Sequence, residues 1–280
     1  MNNNFCNNNI YKDISAILSN NLISSNIDLN DLYEKMKMSY EEEHHKIESC
    51  FYISKKDIIG YGDLLNNKPI ENLGIDLPIY FGDCNSKRKI MIVAMDPKRS
   101  GQRDDSISVG TVFALNQKKD RETKTNDYWN FIEPLTDNAF VYLTDIYKLY
   151  YESFGFKNNK QTKILSNKDP EFISKTSIPF NTNKLILEAE INLIKPDTII
   201  ALGNESANAL KMISNIKTTN LDIIHNGISY LFMPHISRTV TQSIPTIANL
   251  FIAMGKIKND AEFESIGNQI NNLKGKLFMK

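Results

Sequence analysis

Four short runs rich in Ile, Val, Leu, Met and aromatics stand out along the chain: KIMIVAM at 89 to 95, AFVYLT at 139 to 144, DTIIAL at 197 to 202 and ISYLFM at 228 to 233. Each has the length of a strand buried on both faces, which reads as a continuous apolar run rather than an alternating one. Between the second and third runs lies NTNKLILEAEINLIKP, whose Ile186, Ala189, Leu193 and Ile194 form one helical stripe that Lys195-Pro196 ends. After the third, Gly203 and Asn204 make a turn and N-cap leading into the helix ESANALKMISNI. Strands alternating with helices predict an α/β fold, a three-layer α/β/α sandwich around a central, mostly parallel four-stranded sheet.

Upstream, from about Ile10 to Lys56, apolar residues recur at three- and four-residue spacings with no Gly or Pro, as in DLYEKMKMSYEEEHHKIESCF. This predicts an N-terminal helical region over residues 1–60 ahead of an α/β/α domain over 61–280. The opening NNNFCNNN is an asparagine-rich tract, and about the first nine residues are expected to be disordered. His44 and His45 are neighbours on a charged helix, about 100° apart, which suits a solvated face better than a shared metal.

Composition narrows the class. Lys plus Arg and Asp plus Glu each number 33 in 280 residues, so any polyanionic partner must be met by a local patch rather than a global field. One such stretch runs from Lys87 to Lys124, where ten basic residues face five acidic ones. Cys6, Cys50 and Cys84 are far apart with no CxxC spacing, which suggests free thiols and neither a disulfide framework nor a metal or iron–sulfur site. No run approaches membrane-span length and no signal peptide opens the chain, so a cytoplasmic monomer without metal or cofactor is expected.

In a parallel sheet the residues that follow each strand converge on one edge, where ligands bind. Here they are Asp96, Pro97, Lys98, Arg99 and Ser100 after the first run, Asp145 after the second, Gly203 and Asn204 after the third, and Pro234, His235 and Ser237 after the fourth. Asp96-Pro97 alone also reads as a turn opener, and Asp145 as the cap of a helix beginning in IYKLYY.

The segments VAMDPKRSG, VYLTDIYKLYY, ILEAEINLIKPDTIIALGNESANAL and MPHISRTV resemble, in order and spacing, motifs of the uracil-DNA glycosylase superfamily. The resemblance covers roughly residues 78 to 255, with departures: Ala94 stands where the family usually has Gly, and Ile236 where its His-Pro-Ser motif has Pro. It implies a DNA glycosylase acting on a base flipped out of duplex DNA. Asp96 would hold the attacking water and face the sugar cation, and His235 would donate to the base O2. Phe113 in SVGTVFALN would be the stacking platform, although a core Phe is the plain alternative, and Met95 and Pro97 would also bind the base. Arg99, Ser100, Arg103, Asn204, Ser237, Arg238 and Thr239 would contact DNA, Arg238 filling the vacated space or binding phosphate. Tyr147, Tyr150 and Tyr151 offer further stacking faces, some of them core by their spacing.

Two departures bear on the base. Asp145 stands where relatives commonly have Asn, and an ionised carboxylate accepts from an exocyclic amine but cannot donate to uracil O4. Lys98 stands where the uracil-specific branch places a Tyr that blocks 5-substituents. Together they point to a 5-modified cytosine, such as the glucosylated hydroxymethylcytosine of phage DNA, and hence to antiviral defence. Cytosine N3 is itself an acceptor, so Asp145 would need a bridging water or a proton, which a raised pKa in a closed apolar pocket could supply. The alternatives are a uracil-DNA glycosylase of base excision repair and a non-catalytic DNA- or nucleotide-binding relative of the fold.

Overall fold

The computed structural model describes residues 5–6, 9–41, 51–65, 70–97, 106–122, 127–137, 139–157, 160–166, 169–220, 222–233 and 235–236. Its strands are β1 (Phe51–Ser54), β2 (Ile70–Leu77), β3 (Ile79–Phe81), β4 (Lys89–Ala94), β5 (Ser106–Thr111), β6 (Phe140–Asp145), β7 (Leu149–Lys157), β8 (Lys160–Ser166), β9 (Thr198–Leu202), β10 (Asp222–His225) and β11 (Ile228–Met233). The helices are α1 (Ile10–Asn21), α2 (Leu29–Glu41), α3 (Lys118–Arg121), α4 (Asp127–Thr136), α5 (Pro170–Ile173), α6 (Ile178–Ile194) and α7 (Asn204–Ile213).

The fold is α/β, and the four apolar runs are its centre. They form β4, β6, β9 and β11, which lie side by side in the order β11-β9-β4-β6 with every pairing parallel. All residues of β6 and β9, and all of β4 after Lys89, are buried. Successive side chains of a strand point to opposite faces, so both faces of this sheet are covered. α4 packs on β6, α7 on β9 and β11, and α1 on α6.

The sheet has six strands rather than the expected four. β3 pairs antiparallel with β6 at one edge and β10 with β11 at the other. The β10–β11 hairpin turns through Asn226 and Gly227, both at positive φ, the Asn-Gly conformation of a two-residue hairpin.

A second sheet of five strands, β1-β5-β2-β7-β8, was not expected from the apolar runs. Pro78 alone separates β2 in this sheet from β3 in the first, and Ile146–Lys148 carry the chain from β6 into β7. The helix expected to begin in IYKLYY is therefore a bend followed by a strand, which removes the helix-capping role for Asp145. Residues 51–54, expected to be helical, form β1 against β5. His44, His45 and Cys50 lie outside the described residues.

The N-terminal helices share one continuous hydrophobic core with the rest of the chain. Tyr33 of α2 donates to Pro78 O at 2.6 Å, and Thr182 of α6 donates to Gly60 O at 2.8 Å. Part of the asparagine tract is fixed in that core, contrary to expectation. Phe5 is buried and stacks on Tyr40 with centroids 4.7 Å apart, and Cys6 N donates to Tyr80 O. Burial pushes the Cys6 thiol up to about 12.

Helix α6 begins where Ser177 accepts from Phe180 N and ends at Lys195 in the left-handed conformation before Pro196. Its buried stripe is Asn183, Ile186, Leu187, Glu190 and Ile194, whereas Ala189 and Leu193 are only half-buried. Two polar residues thus occupy the inward face in place of two of the expected apolar ones.

Candidate functional site

The ends of the four parallel strands bring the chemistry-bearing residues to one edge. Val93, Ala201 and Phe232 are in register across β4, β9 and β11. Asp96 and His235 each follow that row by three residues, on strands separated by β9 alone. Ala94 shares its rung with Asp145, and the pairing runs on past the strand ends, Ile146 N donating to Ala94 O and Tyr147 N to Met95 O, each at 2.9 Å.

Around Asp96 the neighbours are phenols. Asp96 and Met95 are half-buried and Pro97 is buried. Burial raises the phenols of Tyr61, Tyr147 and Tyr150, and the nearby charge of Asp96 raises each further. Tyr147, Tyr150 and Tyr151 are all buried, so none offers the exposed face that DNA stacking needs. Asp145 is 2% exposed.

Asp145 is set by its neighbour Lys148, which sequence reasoning passed over. Lys148 is fully buried, and its Nζ donates to Asp145 O, Thr144 Oγ1 and, at 2.8 Å, Glu190 Oε2. Glu190 is equally buried. Desolvation holds its carboxyl above the usual range, against the pull of Lys148. Asn183 accepts from Lys148 N at 2.9 Å and donates to Tyr61 OH at 2.8 Å, joining α6, the 145–148 bend and the phenols near Asp96. The signal in the sequence was a glutamate and an asparagine on the apolar stripe of α6, a costly position unless paired.

His235 stands against Gly203. Gly203 has φ +94 and donates its N–H to Met233 O at 2.7 Å, and a Cβ built on it would lie 3.4 Å from His235 Cβ and Cδ2. His235 is exposed as a residue, yet the packing around its imidazole lowers its pKa by desolvation, while Glu205 opposes that shift. Asn204 is exposed as the first residue of α7, with Gly203 as its N-cap, so the capping role expected of Asn204 falls to glycine.

The third part of the site is aromatic. Phe113 is half-buried and stacks on Tyr128 with centroids 3.9 Å apart and planes 12° from parallel. Tyr128 in turn meets His235 edge-on, its hydroxyl 3.3 Å from Nε2 and 3.4 Å from Nδ1. Phe113 and Ala114 hold consecutive left-handed conformations, φ +57 and +56, in a short 3-10 turn. Tyr128 was not anticipated, because nothing in its sequence neighbourhood marks it off from a core aromatic.

Among the described residues, part of the basic stretch lies away from this edge. Lys87, Arg88 and Lys89 lie at the start of β4, and six residues of strand put Lys89 about 20 Å from the Asp96 end. Arg121 is buried, lies over the Tyr40 ring with its guanidinium 3.6 Å from the centroid, and donates to Leu115 O and Tyr40 O. It ties α2 to the segment after Phe113 instead of facing solvent. Lys98, Arg99, Ser100, Arg103, Lys124, Ser237, Arg238 and Thr239 lie outside the described residues.

Among the described residues no group of three or more His, Cys, Asp or Glu side chains could hold a metal ion, and no helix is long and apolar enough to cross a membrane. Cys6 and Cys84 are free thiols. No protein-family model matches the sequence, and no curated protein matches it significantly.

Proposed function

We propose that the chain is a DNA glycosylase that hydrolyses the N-glycosidic bond of a flipped-out base, a 5-modified cytosine, and leaves an abasic site. One observation carries this reading: Asp96 and His235 follow matched positions of β4 and β11, with the Phe113–Tyr128 stack against the imidazole. A nucleoside needs the same three things, a carboxylate by the sugar, a donor by the base oxygen and an aromatic face along the ring.

In this reading the C1′–N1 bond breaks with its electron pair passing to the base. Asp96 faces the positive charge that develops on the sugar, orients the water that adds to C1′ and takes its proton, while the departing base anion is protonated from solvent. His235 serves as a neutral donor to the base O2, and the lowering of its pKa by desolvation favours that neutral form. Asp145, buried at the end of β6, is the acceptor for cytosine N4 in this reading.

The test uses matched duplexes carrying uracil, cytosine, 5-hydroxymethylcytosine or its glucosylated form, each followed by alkaline cleavage. Strand breaks confined to a modified cytosine and lost in Asp96→Asn are the expected result. Breaks at uracil alone keep the glycosylase and overturn the role of Asp145. DNA binding without breaks on any substrate favours the non-catalytic relative.

A further inference from the structure

Phe113 is held by residues that belong to the N-terminal helices. Phe113 and Ala114 follow one another in the left-handed region, φ +57 and +56, where non-glycine residues persist only if their surroundings impose it. The backbone bonds of their 3-10 turn sit at or beyond the long end of the normal range, Leu115 N donating to Val112 O at 3.4 Å and Gln117 N to Ala114 O at 3.2 Å. The constraint therefore comes from outside the turn.

Two sets of contacts supply it, and both end on α2. The first closes the mouth of the turn. Thr111 Oγ1 donates to Asn116 Oδ1 at 2.8 Å and accepts from Asn116 N, which joins the residues on either side of Val112–Leu115. Asn116 Nδ2 donates to Ser39 Oγ of α2 at 2.9 Å, and Ser39 Oγ donates to Met36 O at 2.7 Å. Thr111, Asn116 and Ser39 are all buried, so water does not compete for these bonds.

The second set holds Leu115. Its carbonyl accepts from Arg121 Nη1 at 2.7 Å, while Arg121 Nη2 donates to Tyr40 O. The guanidinium lies on the Tyr40 ring, on which Phe5 also stacks. The same guanidinium is 5.5 Å from the ring centroid of Trp129, the neighbour of Tyr128 on α4. One buried fork thus refers both halves of the Phe113–Tyr128 pair to α2, and a lysine could not make both of its bonds in that fixed geometry.

We infer that Ser39 and Arg121 are positioning residues of the candidate site: through them α2 clamps the 111–116 turn and fixes Phe113 against Tyr128, so the N-terminal helices form part of the site. The use of Phe113 as a stacking face rests on the glycosylase reading, whereas the clamp rests on the geometry alone.

The test compares full-length wild type with Ser39→Ala, Arg121→Lys and Thr182→Val. Thr182→Val is the control, since it loses a buried hydroxyl-to-carbonyl bond, to Gly60 O, that does not involve the turn. Ser39→Ala leaves Asn116 Nδ2 without its acceptor and should speed hydrogen exchange at the Asn116 and Gln117 amides about tenfold, whereas Thr182→Val should not. In the same protein the NMR cross-peaks between the ring protons of Phe113 and Tyr128 should weaken. Arg121→Lys should do both; if it does not fold, Ser39→Ala, which removes a single hydroxyl, carries the test alone. A stacking face binds the base alike before and during bond cleavage, so excision of the modified cytosine by Ser39→Ala should show KM raised about tenfold with kcat within about threefold of wild type. Thr182→Val should leave both constants at their wild-type values.

Equal exchange at Asn116 and Gln117 in Ser39→Ala and Thr182→Val, or unchanged Phe113–Tyr128 cross-peaks in a folded Ser39→Ala, overturns the inference. A loosened turn with KM unmoved overturns the positioning role and leaves the glycosylase standing. A loosened turn in a protein whose wild type excises nothing keeps the clamp and removes the glycosylase.

Discussion

Lys148 Nζ and Glu190 Oε2 meet at 2.8 Å with both side chains sealed from solvent, directly behind the bend that follows Asp145. A buried pair of this kind adds little net stability, because desolvating two charges offsets their attraction, but removing one partner strands the other. Glu190→Gln and Lys148→Met should each lower the unfolding free energy by about 3–5 kcal/mol. The double variant Lys148→Met/Glu190→Leu should cost far less than the sum of the two, since neither charge is left unpaired. Urea denaturation of the three proteins checks this, and additive losses would show that the residues act separately.

Gly203 and His235 are coupled through the backbone. The Cβ of an alanine at 203 would meet the imidazole at ordinary contact distance, so the cost of Gly203→Ala lies in forcing an L-residue to φ +94. With ψ at 157 this is a region that essentially only glycine enters, and we expect a loss of about 1–3 kcal/mol in stability. The same change should shift the His235 ring resonances in an NMR spectrum, because relief of the strain must move the chain against the imidazole. A stability loss with an unmoved His235 spectrum would uncouple the two residues.

The parts of the fold that were legible in the sequence are those whose environment is uniform. β4, β6, β9 and β11 are covered on both faces, so each wrote itself as an unbroken apolar run, and their common direction delivered Asp96, Asp145 and His235 to one edge. The second sheet wrote no such run: β2 carries Glu71, Asn72, Gly74 and Asp76 among its apolar residues, and β7 carries Glu152, Ser153 and Gly155. Asp76 and Ser153 are nonetheless buried, so polarity hid their inward position. Phe5 was invisible for a different reason, a single anchor inside an asparagine tract whose composition says disorder. Tyr128 joins Phe113 and His235 only through tertiary structure, with more than a hundred residues between it and the histidine.

Ala114 provides a test of the strained turn that presents Phe113. With φ at +56 it lacks any side-chain group beyond Cβ to compensate for the left-handed conformation. Ala114→Gly should therefore stabilise the protein, by up to about 1 kcal/mol, where the same exchange inside a regular helix would destabilise by a similar amount. Denaturation midpoints measure the sign directly. A lower midpoint in Ala114→Gly would mean that the turn is not strained at this residue.

His235 sets the pH behaviour of the site. Its pKa is lowered from the ordinary 6.5 by desolvation, partly opposed by the charge of Glu205. A histidine whose folded-state pKa lies below its unfolded value favours the fold when neutral. Its contribution is fully present above pH 6.5 and is lost as the pH falls through the lower, folded-state value. Following the Cε1 proton of His235 by NMR should give a midpoint below 6.5, and Glu205→Gln should move it lower still by removing the opposing charge. If the neutral imidazole is the donor to the leaving base, excision should hold steady as the pH drops from 7.5 to 6.5 and decline only near the His235 midpoint measured in the same protein. A midpoint at or above 6.5 would place the imidazole in a solvated or anionic setting and remove the reason for treating it as a neutral donor.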